Sequence, residues 1–140
     1  MNALGDIPLA VEYRTGNVRP LLAEIRHALE RLVDTGEPTA IDLRSIPLAP
    51  GEDDELLEVL GEGEVRAELY ALGPSEIRET AISGVWLVTH RNAAGEIAGQ
   101  FIEVTRMPQI LESQEADMLR GMAILAEKLA ASGTNTGENH

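Results

Sequence analysis

Cysteine is absent from the 140-residue chain. Disulfides, thiolate catalysis and a cysteine-ligated iron–sulfur cluster are thereby excluded. Aromatic residues are scarce: one Trp, one Phe and two Tyr make up 3% of the chain. A core must therefore be aliphatic, and the 44% hydrophobic content supplies it from Leu, Ile, Val and Ala. Basic residues are also few. Eleven Lys and Arg stand against 24 Asp and Glu, for a formal net charge of −13 and a pI of about 4.5. Binding to a phosphate backbone needs clustered Lys and Arg, so nucleic acid is excluded as a partner and anionic membrane surfaces are disfavoured. No apolar run approaches the roughly 20 residues of a membrane span, and no basic segment followed by an apolar stretch marks a leader. A cytoplasmic protein without direct membrane insertion is expected.

Chemistry-bearing motifs are missing too. The three histidines, His27, His90 and His140, lie far apart in sequence. The carboxylates form no Asp-x-Asp-x-Asp-Gly loop, and soft or borderline metals prefer thiolate or imidazole clusters. No metal site and no cofactor are expected. No Gly-x-Ser-x-Gly, Walker or Rossmann pattern occurs. Gly61-Glu-Gly63 sits between a helix and a strand, not in the strand-before-helix context that cradles phosphate. Pairs such as Glu76 and Glu79 follow from an acidic composition, so they do not point to acid–base catalysis. The chain reads as a binder, not an enzyme.

What is present fits one domain. Residues 1–16 form an irregular segment, with a short strand over Leu9–Tyr13. Residues 17–132 form the α+β domain, and 133–140 are a disordered tail. Val18, Leu21, Leu22, Ile25, Leu29, Leu32 and Val33 share one helical face, with Asn17 as N-cap and Gly36 as terminator. Residues 39–46 alternate as a strand. A short helix over 52–60 follows, its acids in the first turn where the helix dipole favours them. Four strands then form a meander: 65–70, 77–82, 85–90 and 96–105, the last two joined through Asn92-Ala-Ala-Gly95. A final helix runs from Pro108 to about residue 131. The fold class is α+β: a mainly antiparallel sheet, made of one strand after the first helix plus the meander, packed by about three helices mostly on one face.

Two features point outward. Residues 52–68 carry eight acids and only Arg66 as a base; they read either as a solvated face or as a dock for a basic segment. In the third meander strand Val85 and Leu87 point one way while Trp86 and Val88 point the other. Either the sheet is covered on both faces, or Trp86 is presented to a partner as a contact anchor.

The ordered strings Leu21-Leu-Ala-Glu-Ile25, Ala40-Ile-Asp-Leu-Arg-Ser-Ile-Pro-Leu48, Leu60-Gly-Glu-Gly-Glu-Val65, Ile77-Arg-Glu-Thr80, Gly84-Val-Trp86, His90, Ile102-Glu-Val104 and Pro108 with Ile110-Leu111 resemble the C-terminal region of the HupH/HyaF family of hydrogenase expression proteins. That resemblance implies a non-catalytic accessory protein or chaperone in [NiFe]-hydrogenase maturation. Its implied partners are the hydrogenase small subunit before export, or other accessory proteins. No catalytic residue carries over from the family, whose longer members have a further N-terminal region. On this reading Arg78, Glu79, Trp86 and His90 are the candidate partner contacts, and a homodimer is left open. The alternative is a metal or cluster handler in the same pathway, using carboxylates and His90.

Overall fold

The computed structural model describes residues 13–70 and 73–138. Apart from Tyr13, the strand expected over Leu9–Tyr13 lies outside them, as does His140. The chain divides into two compact units, Met1–Pro108 and Gln109–His140. In the first unit the order is α1 (Val18–Thr35), β1 (Thr39–Asp42), a 3-10 turn (Leu43–Ser45), α2 (Glu52–Leu60), β2 (Arg66–Tyr70), β3 (Pro74–Glu79), β4 (Val85–Arg91) and β5 (Ile97–Val104). The second unit holds a 3-10 turn (Gln109–Leu111) and α3 (Glu115–Glu138). The expected α+β class is what forms.

The five strands make one antiparallel sheet in the order β1-β5-β4-β3-β2. β1 adds beside the end of the meander, so the strand after the first helix takes an edge. Side chains alternate across the sheet. On one face Val85, Leu87, Ile102, Val104 and Ile41 meet Leu21, Ile25, Ala28 and Leu32 of α1 and Leu56 and Leu60 of α2. This aliphatic layer is the main core. At roughly 1.5–3 kcal/mol per fully buried Leu, Ile or Val it is the chief source of stability.

Several boundaries differ from the sequence pattern, each for a local reason. β1 stops at Asp42 instead of reaching residue 46. The Asp42 carboxylate accepts the Arg44 N–H at 2.9 Å and the Ser45 hydroxyl donates to the Asp42 carbonyl at 2.8 Å, so short polar side chains win the backbone from the ladder. Asn17 occupies the N-cap position of α1 without a side-chain cap bond; its amide donates instead to the Pro47 carbonyl at 2.7 Å. β3 begins at Pro74 and ends at Glu79. Beyond it the buried Thr80 hydroxyl donates to the Val85 carbonyl at 2.8 Å and closes the β3–β4 turn. The final helix does not start at Pro108: a 3-10 turn closed by Glu112 N–H on the Gln109 carbonyl (3.0 Å) intervenes, and α3 opens at Glu115 and runs past residue 131.

The string Leu60-Gly-Glu-Gly-Glu-Val65 has a structural task. Ala81 N–H donates to the Leu60 carbonyl, Gly63 N–H to Glu79, and Glu79 N–H to Val65, all at 2.8–2.9 Å. The string thus extends the β2–β3 ladder and leads α2 into the sheet. A Cβ on Gly63 would lie 2.5 Å from the Thr80 carbonyl oxygen. Gly61 has φ +70° and abuts the Ala81 methyl group. Gly63→Ala is expected to cost about 1–3 kcal/mol, because the atom in the way is backbone and cannot swing aside. Urea unfolding followed by circular dichroism checks this, and a change within error would mean that the ladder has room there.

Candidate binding surface

The four candidate contacts come from adjacent strands, but strand alternation divides them. Arg78 is opposite Leu87 on β4 and Arg66 on β2, on the helix-bearing face at its far edge. Glu79, Trp86 and His90 lie on the other face. There the cross-strand register builds three rows. Glu79, Trp86, Glu103 and Ala40 form the first; Ile77, Val88, Phe101 and Asp42 the second; Ser75, His90 and Gly99 the third.

Trp86 is packed: only 5% of it is exposed, and its indole N–H donates to the Thr105 carbonyl at 3.1 Å. Ile77, Val88 and Pro108 are fully buried. Of the two readings of the alternating apolar strand, an indole presented to a partner is not what forms: Trp86 is packed where it stands. The indole is flanked in its row by two carboxylates, Glu79 and Glu103. Burial pushes the Glu103 carboxyl above its ordinary value, and the charge of His90 partly offsets this. His90 is half-buried. Its Nδ1 lies 2.8 Å from the Ser75 hydroxyl, and its ring meets Phe101 edge-on with centroids 5.9 Å apart. These contacts orient the imidazole, and its remaining nitrogen is free of a protein hydrogen bond among the described residues.

Arg78 is 18% exposed in its side chain and pairs with Glu62. Its Nε is the one buried side-chain nitrogen or oxygen without a hydrogen-bond partner among the described residues. Arg66, directly opposite, is drawn away by Glu76. Two arginines that would repel across the strands are each neutralised by an acid from a neighbouring segment. The acidic stretch of residues 52–68 is thus partly consumed inside the fold.

That stretch also contains the residue sequence reasoning missed. Glu52 was grouped with solvated first-turn acids, yet it is 1% exposed. Its carboxylate accepts the Thr15 hydroxyl at 2.7 Å, the Ala49 N–H at 2.6 Å and the Gly16 N–H at 3.2 Å, with the Arg14 guanidinium at 3.9 Å. One side chain thereby ties the entry to α1, the loop before α2 and the first turn of α2 together. Bonding from Thr15 and then Ala49, opposed by burial, brings its pKa down from 4.5 to about 2. The signal available in the sequence was the Ala49-Pro-Gly-Glu52 spacing, in which an acid reaches back three residues as in a capping box.

Among the described residues no group of three or more His, Asp or Glu side chains is placed to hold a metal ion, and no helix is long and apolar enough to cross a membrane. The surface offers carboxylates beside packed aromatic rings, one oriented imidazole and a half-sheltered guanidinium. Carboxylates pair with cations, a guanidinium pairs with carboxylates, and an imidazole nitrogen bonds to backbone or polar groups.

Residues 15–132 match the family model described as HupH hydrogenase expression protein, C-terminal conserved region. The chain is 31% identical over 117 residues to the hydrogenase expression/formation protein HoxQ of Azotobacter vinelandii, covering 82% of this chain and 40% of that protein. It is 36% identical over 88 residues to the hydrogenase expression/formation protein HupQ of Azotobacter chroococcum mcd 1, covering 60% of this chain and 31% of that one. The chain thus spans well under half the length of these curated relatives. Its fold is similar to that of the hydrogenase expression protein HupH from Thiobacillus denitrificans ATCC 25259, with a TM-score of 0.80, 44% identity, and 85% of this chain and 99% of that chain covered.

Proposed function

The chain belongs to the HupH hydrogenase expression family through its C-terminal conserved region, and from that premise we propose that it is a non-catalytic assembly factor of [NiFe]-hydrogenase maturation. It acts in the cytoplasm, holding the hydrogenase small subunit or another accessory protein before the enzyme is complete. The observation that carries this reading is the family match over residues 15–132, with relatives named for hydrogenase expression and formation. The side chains support binding over chemistry. Arg78, Glu79, Trp86 and His90 are the proposed contact region, with Trp86 as the packed floor beneath the more accessible groups. Glu103 carries a desolvation burden that a cationic group of the partner relieves. Arg78 has an N–H still to be satisfied.

The test is genetic and biochemical together. Removing the gene for this chain from a cell that makes the hydrogenase should abolish most hydrogenase activity and leave small subunit that is not incorporated. A copy supplied in trans should restore both. Undiminished activity and normal small-subunit incorporation in the deletion strain would overturn the assignment.

A further inference from the structure

The sheet of the first unit ends in an unpaired edge. β2 has β3 on one side and no strand among the described residues on the other. The ladder fixes which backbone groups face outward. Glu79 N–H donates to the Val65 carbonyl at 2.9 Å, and the backbone groups of an antiparallel strand alternate sides residue by residue. Those of Val65, Ala67 and Leu69 therefore turn towards β3, and those of Arg66, Glu68 and Tyr70 turn outward. Tyr70 fits this parity, since it stands opposite Pro74, which has no N–H to give. The side chains of Arg66, Glu68 and Tyr70 are exposed. Between Arg66 and Tyr70 there is no proline and no register shift, the devices that blunt an edge. The opposite edge, Thr39–Asp42, is shorter and passes at once into a 3-10 turn.

The pattern along this edge is complementary to itself. Residues 64–70 read Glu-Val-Arg-Ala-Glu-Leu-Tyr. A second copy laid antiparallel about Ala67 puts Arg66 opposite the partner's Glu68, and Glu68 opposite the partner's Arg66, both as hydrogen-bonded pairs. Ala67 meets the partner's Ala67 in a non-hydrogen-bonded pair, where side chains come closest and a methyl group fits. On that same face Val65 meets the partner's Leu69, and Leu69 the partner's Val65. Centring the pair on Glu68 or on Arg66 instead sets that charge against its own copy, which is unfavourable. Within the chain the register does set like against like: Arg66 stands opposite Arg78 and Glu68 opposite Glu76. Arg66 reaches diagonally to Glu76. Glu68 accepts the Tyr70 hydroxyl at 2.7 Å and has no ion pair among the described residues. A guanidinium carries five N–H donors, so Arg66 can hold Glu76 and a second carboxylate together.

We propose that β2 pairs with β2 of a second copy, antiparallel about Ala67, and joins two five-stranded sheets into one. Pairing of this kind keeps each face on its own side. α1 and α2 of both copies lie on one side of the joined sheet, and Glu79, Trp86 and His90 of both lie on the other. The chain has no cysteine, so oxidative cross-linking reads the register directly. A67C alone should give a covalent dimer, because the two-fold axis brings that residue opposite itself. L69C alone should give little, and an equimolar mixture of V65C and L69C should give the mixed dimer. Light scattering of the wild-type chain should give twice the 15.1 kDa monomer mass in the micromolar range. R66E and E68R should each weaken the dimer about tenfold or more, with the sheet signal in circular dichroism retained. Mixing the two should restore it, since acid again faces base at both pairs. Should R66E misfold, A67C and L69C still decide the register. Efficient self-cross-linking of L69C with none of A67C would overturn that register. A wild-type chain that stays monomeric up to millimolar concentration would overturn the dimer and leave the edge to a different strand.

Discussion

Replacing Trp86 by Ala is expected to lower the free energy of unfolding by about 3–5 kcal/mol, the usual cost of deleting a large buried aromatic side chain. Trp86 is the one Trp in a chain that has only three other aromatic residues. Its ring sits in a row between Glu79 and Glu103. Truncation opens a cavity beside two carboxylates, one of them already desolvated, and leaves the Thr105 carbonyl without its indole donor. Domains of this size are stable by only about 5–15 kcal/mol, so this substitution removes a large share of the total. Trp86→Phe separates the two contributions: it keeps much of the ring volume and forfeits the hydrogen bond, which by itself accounts for about 1 kcal/mol. Urea unfolding followed by far-ultraviolet circular dichroism reads both. A loss in Trp86→Ala no larger than that of a typical surface substitution would mean that the indole is not packed.

The second large effect is a pH dependence centred on Glu52. Its carboxyl titrates near 2 in the folded chain against 4.5 ordinarily. As pH falls, the unfolded chain takes up this proton first. The stability that Glu52 confers is therefore fully present above about pH 4.5 and is lost progressively as pH falls towards 2. In Glu52→Gln the group no longer titrates, and its single NH2 must face either the Gly16 N–H, which donates to one carboxylate oxygen, or the Ala49 N–H and Thr15 hydroxyl, which donate to the other. The variant should melt well below the wild type at neutral pH, and the gap between the two should narrow steadily from pH 4.5 to pH 2. Thermal melts across that range test the expectation. A gap that stays constant through the acid limb would show that Glu52 is not held ionised by its partners.

The same residue illustrates where sequence reading stops. Periodicity makes α1 and α2 legible, because their buried positions recur at helical spacing and little competes with them. Alternation makes the four meander strands and their order legible for the same reason. The end of β1 is not, because Asp42 can serve either a strand or a local turn, and only the Arg44 and Ser45 bonds decide it. Glu52 is not, because an acid in a run of acids looks solvated until Thr15 and Gly16, distant in the chain, join the nearby Ala49 N–H in donating to it. Trp86 allowed two readings, since alternation says which residues share a face but not what lies over that face. The candidate contacts Arg78 and Glu79, being neighbours in an extended strand, fall on opposite faces, and register shows that only Glu79 stands with Trp86 and His90.

The division sharpens the proposed contact region. Glu79, Trp86 and His90 define one surface, whereas Arg78 marks the charged edge beside β2, where Glu62 and Glu76 hold the two opposed arginines. A partner that engages both must reach around the edge of the sheet. Of the acidic stretch, Glu52 and Glu62 are already engaged within the chain.

The central claim is recognition of a hydrogenase subunit without chemistry, and direct capture tests it most plainly. The purified chain should retain the hydrogenase small subunit with no metal or nucleotide added. A folded Arg78→Ala, His90→Ala double variant should bind it at least about tenfold more weakly, corresponding to about 1.4 kcal/mol or more of lost interface energy. Equal capture by a double variant with a wild-type melting temperature, or no capture by the wild type, would contradict the account.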